Sequence, residues 1–486
     1  MQLHTYLITL VCSALILTLS QCSSKINTPK STAETEPMLI IDPPPTDSMQ
    51  IAAAIFIDYC SSCHGANAKV FADRSWKEGS DKASLIRSIK VGIIDKGMPA
   101  FDTTFTDSEV NALAEYIIQG ITTRESYTEV TNPTPKYYQT KTIKLQVDTV
   151  ATSAEIPWGI KVDKNGTLYY TDRSGELYVQ ESGKSPVQIQ NVPDVWEYGQ
   201  GGLLDVALHP DFEQNSMIYL SYSKKEKGTL KGTTAVAMGR LEGNALANVK
   251  DIFIALPYVD TKYHFGSRIV FDNDGYMYIS VGDRGKRDDH PQFLTNSCGK
   301  IHRLHLDGSI PADNPFVDQE DAIKSIWSYG HRNPQGLIYD VTKDEVWENE
   351  HGPRGGDELN LVQKGQNFGW PIVSYGINYN GTTFTNETQR DGFIDAKQTW
   401  VPSIAPSGMA QVTGTNYPGW NGNILTGSLR FDYVSMNVVD ADGNHLTEER
   451  ILEGIGRVRS IEMGQDGYLY VGVEEPGRIL KVSVAE

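Results

Sequence analysis

The residues Cys60-Ser61-Ser62-Cys63-His64 carry the most specific chemistry in the chain, because a C-x-x-C-H run is how haem c is covalently attached. Cys60 and Cys63 would form the two thioethers, and His64 would supply one axial ligand to the iron. Between Gly65 and Val150 there is no further histidine and a single methionine, Met98, inside Gly97-Met98-Pro99-Ala100-Phe101. A His64/Met98 pair is the ligation that raises a haem's potential and suits it to electron transfer, so another part of the chain should supply electrons. A thioredoxin-like cysteine pair would need a βαβ surround, and a zinc site would need two more soft ligands nearby. The sequence offers neither context.

The elements that must hold these ligands are legible on both sides. Ile51 to Tyr59 reads as a helix leading into the motif, and Asp107-Ser108-Glu109 caps a second apolar-periodic helix through Ile118. The stretch resembles a class I cytochrome c domain. It occupies only about the first quarter of 486 residues, enough length for two or three domains.

Leu7 to Val11 and Ala14 to Leu17 form an apolar run of signal-peptide length, too short for a comfortable membrane span. Export is the expectation. Cys22 sits where a bacterial lipoprotein signal places its lipidated cysteine, although Gln21 departs from the small residue preferred there, and ordinary cleavage is the alternative. The predicted location is the periplasm or the outer membrane through a lipid anchor. Of the five cysteines, Cys12 lies in the signal and Cys298 reads as a small core residue, leaving no disulfide framework. A formal charge of −18 argues against a nucleic-acid partner, which calls for a basic face.

Two segments read as extended linkers, one containing Pro43-Pro44-Pro45 and the other Asn132-Pro133-Thr134-Pro135. Beyond Lys144 a unit recurs, in Asp163 to Tyr169, Asp272 to Tyr278 and Gln465 to Tyr470, where an Asx-Gly type turn joins two apolar-alternating strands. Such recurrence signals radial repetition, and roughly 340 residues would make about six four-stranded blades. The expected order is a signal peptide over 1–22, a tether over 23–48, the cytochrome over 49–121, a linker over 122–143 and a β-propeller over 144–486.

Between the strands lie polar, glycine-dense segments: Tyr198 to Leu204, His264 to Arg268, Ser328 to Gly336 and Glu350 to Glu358. Loops of this composition let backbone approach a ligand closely, and in a propeller they converge on the central channel. Their order and content, from about Pro157 to Val482, resemble the soluble glucose and aldose sugar dehydrogenases that use pyrroloquinoline quinone and calcium on a six-bladed propeller.

That resemblance implies a set of roles. His264 would be the general base, and Gln200 would flank the sugar. Arg332, Asn333, Tyr379, Ser403, Arg430, Arg457 and Arg459 would contact the quinone, with Arg430 standing where the family has a lysine. The carbonyls of Gly352 and Pro353 would bind one calcium. Glu358 and the Phe368 carbonyl would bind a second, structural one. The implied reaction is oxidation of an aldose at its anomeric carbon to a lactone, with electrons passing to the chain's own haem and on to a soluble or membrane-bound acceptor. Pyrroloquinoline quinone carries three carboxylates, so a site in an acidic protein must gather arginines, and Arg457 and Arg459 alternate on a strand and can reach one anion. Carbonyl oxygens on a Gly-Pro turn suit calcium and leave open positions on it.

Tyr263 stands where the glucose enzymes carry an aspartate, which disfavours glucose itself. The alternatives are a dehydrogenase for another sugar-derived alcohol or aldehyde of the sorbosone kind, a lactone-hydrolysing propeller, and a carbohydrate-binding propeller with an electron-carrier domain. A hydrolase has no need of the arginine cradle, and a pure binder has none for Met98. The sequence contains no Gly-x-Ser-x-Gly elbow, phosphate-binding loop or His-Glu-x-x-His run.

Overall fold

The structure, a computed structural model, describes residues 47–60, 64, 79–93, 98–122, 134–474 and 476–485, all within one compact unit spanning 45–486. Cys22, Cys63 and the signal segment lie outside the described residues. The chain forms a small helical domain followed by a six-bladed β-propeller, as expected.

In the helical domain, α1 (Asp47–Ile55) runs into a π-helical turn (Phe56–Cys60), followed by α2 (Lys82–Val91) and α3 (Asp107–Thr122). The long helix α3 presents Val110, Leu113, Ala114 and Ile117 on one face, the i, i+3, i+4, i+7 stripe that buries against Phe56, Leu85, Ile89, Phe101 and Phe105. Its cap is Thr106 rather than Asp107. Glu109 returns a bond to the Thr106 N–H at 2.7 Å while Thr106 Oγ1 accepts from the Glu109 N–H at 3.3 Å, a reciprocal capping box. Helix α2 is absent from the sequence reading. Its N-terminus is closed by Asp81, which accepts from Ser84 N at 3.0 Å. It ends at Gly92, whose φ of +74° and missing side chain let the Met98 backbone pass, since a Cβ there would lie 2.7 Å from the Met98 carbonyl.

Each of the first five blades is a four-stranded antiparallel sheet, spanning 157–189, 203–254, 269–329, 334–400 and 406–451. The sixth combines the C-terminal strands at 457–484 with strands Lys144–Ala151 and Tyr137–Gln139 from the other end of the propeller, with Leu145 opposite Val484 and Tyr137 opposite Gln146. This pairing fastens the ring shut. It also corrects the expected linker: 137–139 belongs to the propeller, and α3 extends to Thr122.

The recurrent turns join the first two strands of blades one, three and six. In blade one Asp163 Oδ1 accepts from Asn165 N and Thr167 N, and in blade three Asp272 Oδ1 accepts from Asp274 N and Tyr276 N. At the centre, Arg268 ties the ring together. Its guanidinium donates to the carbonyls of Trp158, Gln335 and Arg459 and to Asp205 Oδ1, reaching blades one, four, six and two from blade three. The inner strands and loops of neighbouring blades are thereby fixed against one another, which is what a site assembled from several blades requires.

Candidate active site

The His264 backbone adopts φ +60°, a strained left-handed conformation for a residue of its size. Two contacts hold it there. Its N–H donates to Gln200 Oε1 at 2.8 Å, and Gly282 passes so close that a Cβ would lie 2.3 Å from the His264 carbonyl. The imidazole Nδ1 is 2.6 Å from Asp283 Oδ1. Asp283 is fixed in turn: Oδ1 also accepts from Gly285 N at 2.7 Å, Oδ2 accepts from Trp370 Nε1 at 2.8 Å, and its N–H donates to the Arg332 carbonyl at 2.7 Å. With the ring proton on Nδ1 donated to Asp283, Nε2 is left as the acceptor. Burial, then the positive charge of Arg332, hold the imidazole below its ordinary pKa against the pull of Asp283. The neutral, proton-accepting form therefore prevails at neutral pH.

A cavity of about 430 Å³ opens beside this pair, bounded by residues that include Tyr263, His264, Arg287, Arg332, Pro353, Trp370 and Tyr379. The Arg332 guanidinium lies 5.3 Å from the Trp370 ring and donates from Nη1 to the His351 carbonyl at 3.0 Å, while its buried Nε has no hydrogen-bond partner among the described residues. The Glu350 carboxylate sets the loop that carries it, since Oε2 accepts from Arg332 N at 2.5 Å and Asn333 N at 3.0 Å. The Gly352 to Asp357 turn is closed by Asp357 Oδ1, which accepts from Gly352 N at 2.8 Å and from Ser403 Oγ at 2.9 Å.

Arg457 and Arg459 do converge on one anion, but it is internal. Their Nε atoms grip the two oxygens of Glu474 at 2.8 and 2.5 Å, and although burial opposes the charge of Glu474, the two guanidiniums draw its pKa down to about 2. Arg430 likewise has partners in the chain, donating to the Ser403 carbonyl at 2.9 Å and the Ile57 carbonyl at 2.5 Å.

A second polar cluster lies buried in blade four. Glu348 and Glu350 share one face of the strand Glu345–Glu350, and directly opposite on the neighbouring strand stand Asn360 and Glu358. His331 Nδ1 faces Glu348 Oε1 at 3.4 Å and Glu350 Oε1 at 3.6 Å, ion-pair rather than hydrogen-bond distances, and Phe368 stacks on the His331 ring at 4.5 Å. Burial followed by repulsion from Glu350 raises Glu348 to about 7 and holds Glu358 well above its ordinary value. Among the described residues Glu348 Oε2 and Asn360 Oδ1 are buried without a hydrogen-bond partner. Like charges opposed across a dry sheet are unfavourable unless a cation sits among them, and although burial opposes its charge, Glu348 and Glu350 raise His331 to about 9, so its imidazolium supplies one positive charge against three carboxylates.

Residues 154–481 match the family described as glucose/sorbosone dehydrogenase, and residues 47–117 match cytochrome C oxidase, cbb3-type, subunit III. The chain belongs to the glucose/sorbosone dehydrogenase family. It is 42% identical over 352 residues to aldose sugar dehydrogenase YliI of Escherichia coli, a match covering 70% of this chain and 93% of that one. The crystal structure of the E. coli enzyme in its apo form superposes with a TM-score of 0.67 at 38% identity, covering 70% of this chain and all of the other. The PQQ-bound form of an aldose sugar dehydrogenase from Streptomyces coelicolor gives 0.59 at 26% identity, covering 71% and 99%. The N-terminal segment is a cytochrome c domain of the cbb3 type.

Against this family pattern, the structure brings His264, Arg332, Pro353 and Tyr379 to one cavity, with Gln200 bonded to the His264 backbone. Asn333, Ser403, Arg430, Arg457 and Arg459 are not among the residues that bound that cavity. In the cytochrome, Cys60 and Met98 pack against the same apolar cluster. Sequence reasoning missed Asp283, Trp370, Glu348 and Glu350. The Glu348-Asn349-Glu350 alternation on a strand was the available signal for the last two. Asp283, between Gly282 and Arg284-Gly285, reads as an ordinary turn.

The residues present fit the implied groups. A cavity with an orphaned buried guanidinium nitrogen and an indole face suits a flat polyanion. The unpaired carboxylate and amide oxygens of the blade-four cluster suit a hard divalent cation.

Proposed function

We propose that this protein oxidises an aldose at its anomeric carbon to the lactone, through calcium-bound pyrroloquinoline quinone, and delivers the electrons through its own haem c to an external acceptor. The observation that carries the reading is the His264–Asp283 pair opening on the cavity that Arg332 and Pro353 also line. When bound there, the quinone supplies a two-electron, hydride-accepting centre, and calcium polarises its carbonyl as a Lewis acid.

The chain's own groups do the rest. His264 Nε2 takes the proton of the anomeric hydroxyl, and Asp283 holds the ring in the required tautomer and stabilises the imidazolium that forms. Arg332 places a fixed positive charge on the cavity wall, where negative charge grows as hydride is transferred. Gln200 positions His264 through its backbone, and Tyr263, edge-on to the imidazole at 5.1 Å, walls the sugar side. Calcium would be held at the Gly352 and Pro353 carbonyls and in the blade-four cluster around Glu358, which extends the expected ligand pair to Glu348 and Glu350.

Cys60 and Cys63 would carry the haem, with His64 and Met98 as its axial ligands. Export, and anchoring through a lipid on Cys22, complete the proposal. The direct test is turnover of a panel of aldoses with an artificial dye acceptor. Oxidation that requires both quinone and calcium is expected, with lactone as product. A protein that hydrolyses lactones and oxidises none of the panel would overturn the reading.

A further inference from the structure

Two arginines of the propeller hold the cytochrome. The Arg354 guanidinium stacks on the Tyr59 ring at 3.6 Å, and Arg430 Nη2 donates to the Ile57 carbonyl at 2.5 Å. Both recipients lie on the π-helical turn Phe56–Cys60, which ends on the first haem-attachment cysteine. A π turn leaves carbonyls without the usual intrahelical geometry, which makes one available to an outside donor. The Asp58 carboxylate adds a favourable charge opposite Arg430. From behind, Phe105 and Phe101 meet the Tyr59 ring edge-on at 4.8 and 6.3 Å, so its face is fixed toward Arg354.

The propeller side is equally well placed. Arg354 follows Pro353, a cavity residue, and its backbone pairs both ways with Ile377 at 3.1 Å, just before the cavity residues Asn378 and Tyr379. The second hand of Arg430 holds the Ser403 carbonyl, and the Ser403 hydroxyl closes the Gly352 to Asp357 turn. The Arg354 guanidinium, on the residue next to cavity residue Pro353, therefore sits directly against Tyr59 of the haem-bearing turn.

We propose that Arg354 and Arg430 form the electron-transfer docking face of this chain, seating the haem-bearing turn against the cavity wall so that the haem on Cys60 is the first acceptor. The inference rests on the dehydrogenase reading above. Two electrons pass singly from the reduced quinone, each converting ferric haem to ferrous. Two protons go to solvent, and an external one-electron acceptor reoxidises the haem between transfers. Arg354 and Tyr59 are positioning residues. Neither is among the residues that bound the cavity.

The test uses the full, haem-loaded chain carrying Arg354→Glu, with Tyr59→Leu as a second variant that alters the contact from the cytochrome side. Without quinone, small-angle scattering should show a larger radius of gyration in both variants than in the parent. With quinone, calcium and sugar, stopped-flow haem reduction should slow severalfold or more, as the docked population falls with the loss of a half-buried cation–π contact. Dye-linked turnover should be unchanged. Parental compactness together with parental haem reduction in both variants would overturn the docking face. Absence of any sugar turnover in the parent would instead fail the dehydrogenase reading, and the scattering comparison would still decide the docking.

Discussion

Asp283→Asn is expected to lower sugar turnover by roughly 10²- to 10⁴-fold with little change in quinone binding, the range seen when a carboxylate that orients a catalytic histidine is neutralised. In the native arrangement Asp283 Oδ1 accepts from His264 Nδ1, and Nε2 is free to receive the sugar's proton. An asparagine amide can donate to Nδ1 instead, which moves the ring proton to Nε2 and removes the base. His264→Ala should abolish turnover outright, and the double variant should be no worse than His264→Ala alone, because the two side chains act as one unit. Retention of more than a tenth of parental turnover by Asp283→Asn would remove the pair from the mechanism.

The same geometry fixes the sign of the pH dependence. Because burial and Arg332 depress the His264 pKa, the base form persists below the ordinary histidine value of about 6.5 and is lost only at more acid pH. The acid limb of kcat/KM should therefore lie below about 6.5. Stability follows the same direction: the unfolded chain takes up this proton first, so the stability contributed by His264 is complete above the unfolded pKa and is lost as pH falls through the folded one.

The second large effect concerns the blade-four cluster. If calcium occupies it, chelation should lower the unfolding midpoint by several degrees, since a ligand at 100 times its Kd contributes about 2.7 kcal/mol, and added calcium should restore it. Glu348→Gln separates this from a general salt effect. It removes one of the three clustered carboxylates, so it should abolish the response of the midpoint to calcium. Glu350→Ala should be the most damaging change in the cluster, because Glu350 also caps Arg332 N and Asn333 N, and each buried N–H left unpaired costs about 1–3 kcal/mol. A midpoint insensitive to chelator in the parent, measured by differential scanning calorimetry, would contradict calcium binding there.

What the sequence made legible was local. The Asp163 and Asp272 turns announce themselves because the carboxylate and the following glycine act within five residues, and the haem motif is contiguous. Thr106 was displaced by Asp107 as the cap because both residue types suit that position, and only the return bond from Glu109 distinguishes them. Strand Tyr137–Gln139 was hidden in a linker because three residues carry no period of their own and gain pairing only from Lys144–Ala151. The site was legible as a set of motifs, whereas its wiring was not. Glu474 as the anion between Arg457 and Arg459 is a cross-strand pairing set by register within blade six, and Ile57 as the partner of Arg430 across 373 residues follows from docking.

The most direct measurement is the visible spectrum of the intact, haem-loaded protein with calcium and pyrroloquinoline quinone, before and after addition of each aldose. The predicted result is a sharpened reduced-haem α band that requires sugar, quinone and calcium together, at a rate independent of protein concentration. A haem that dithionite reduces but that no aldose reduces under those conditions would contradict electron delivery from sugar to haem within this chain.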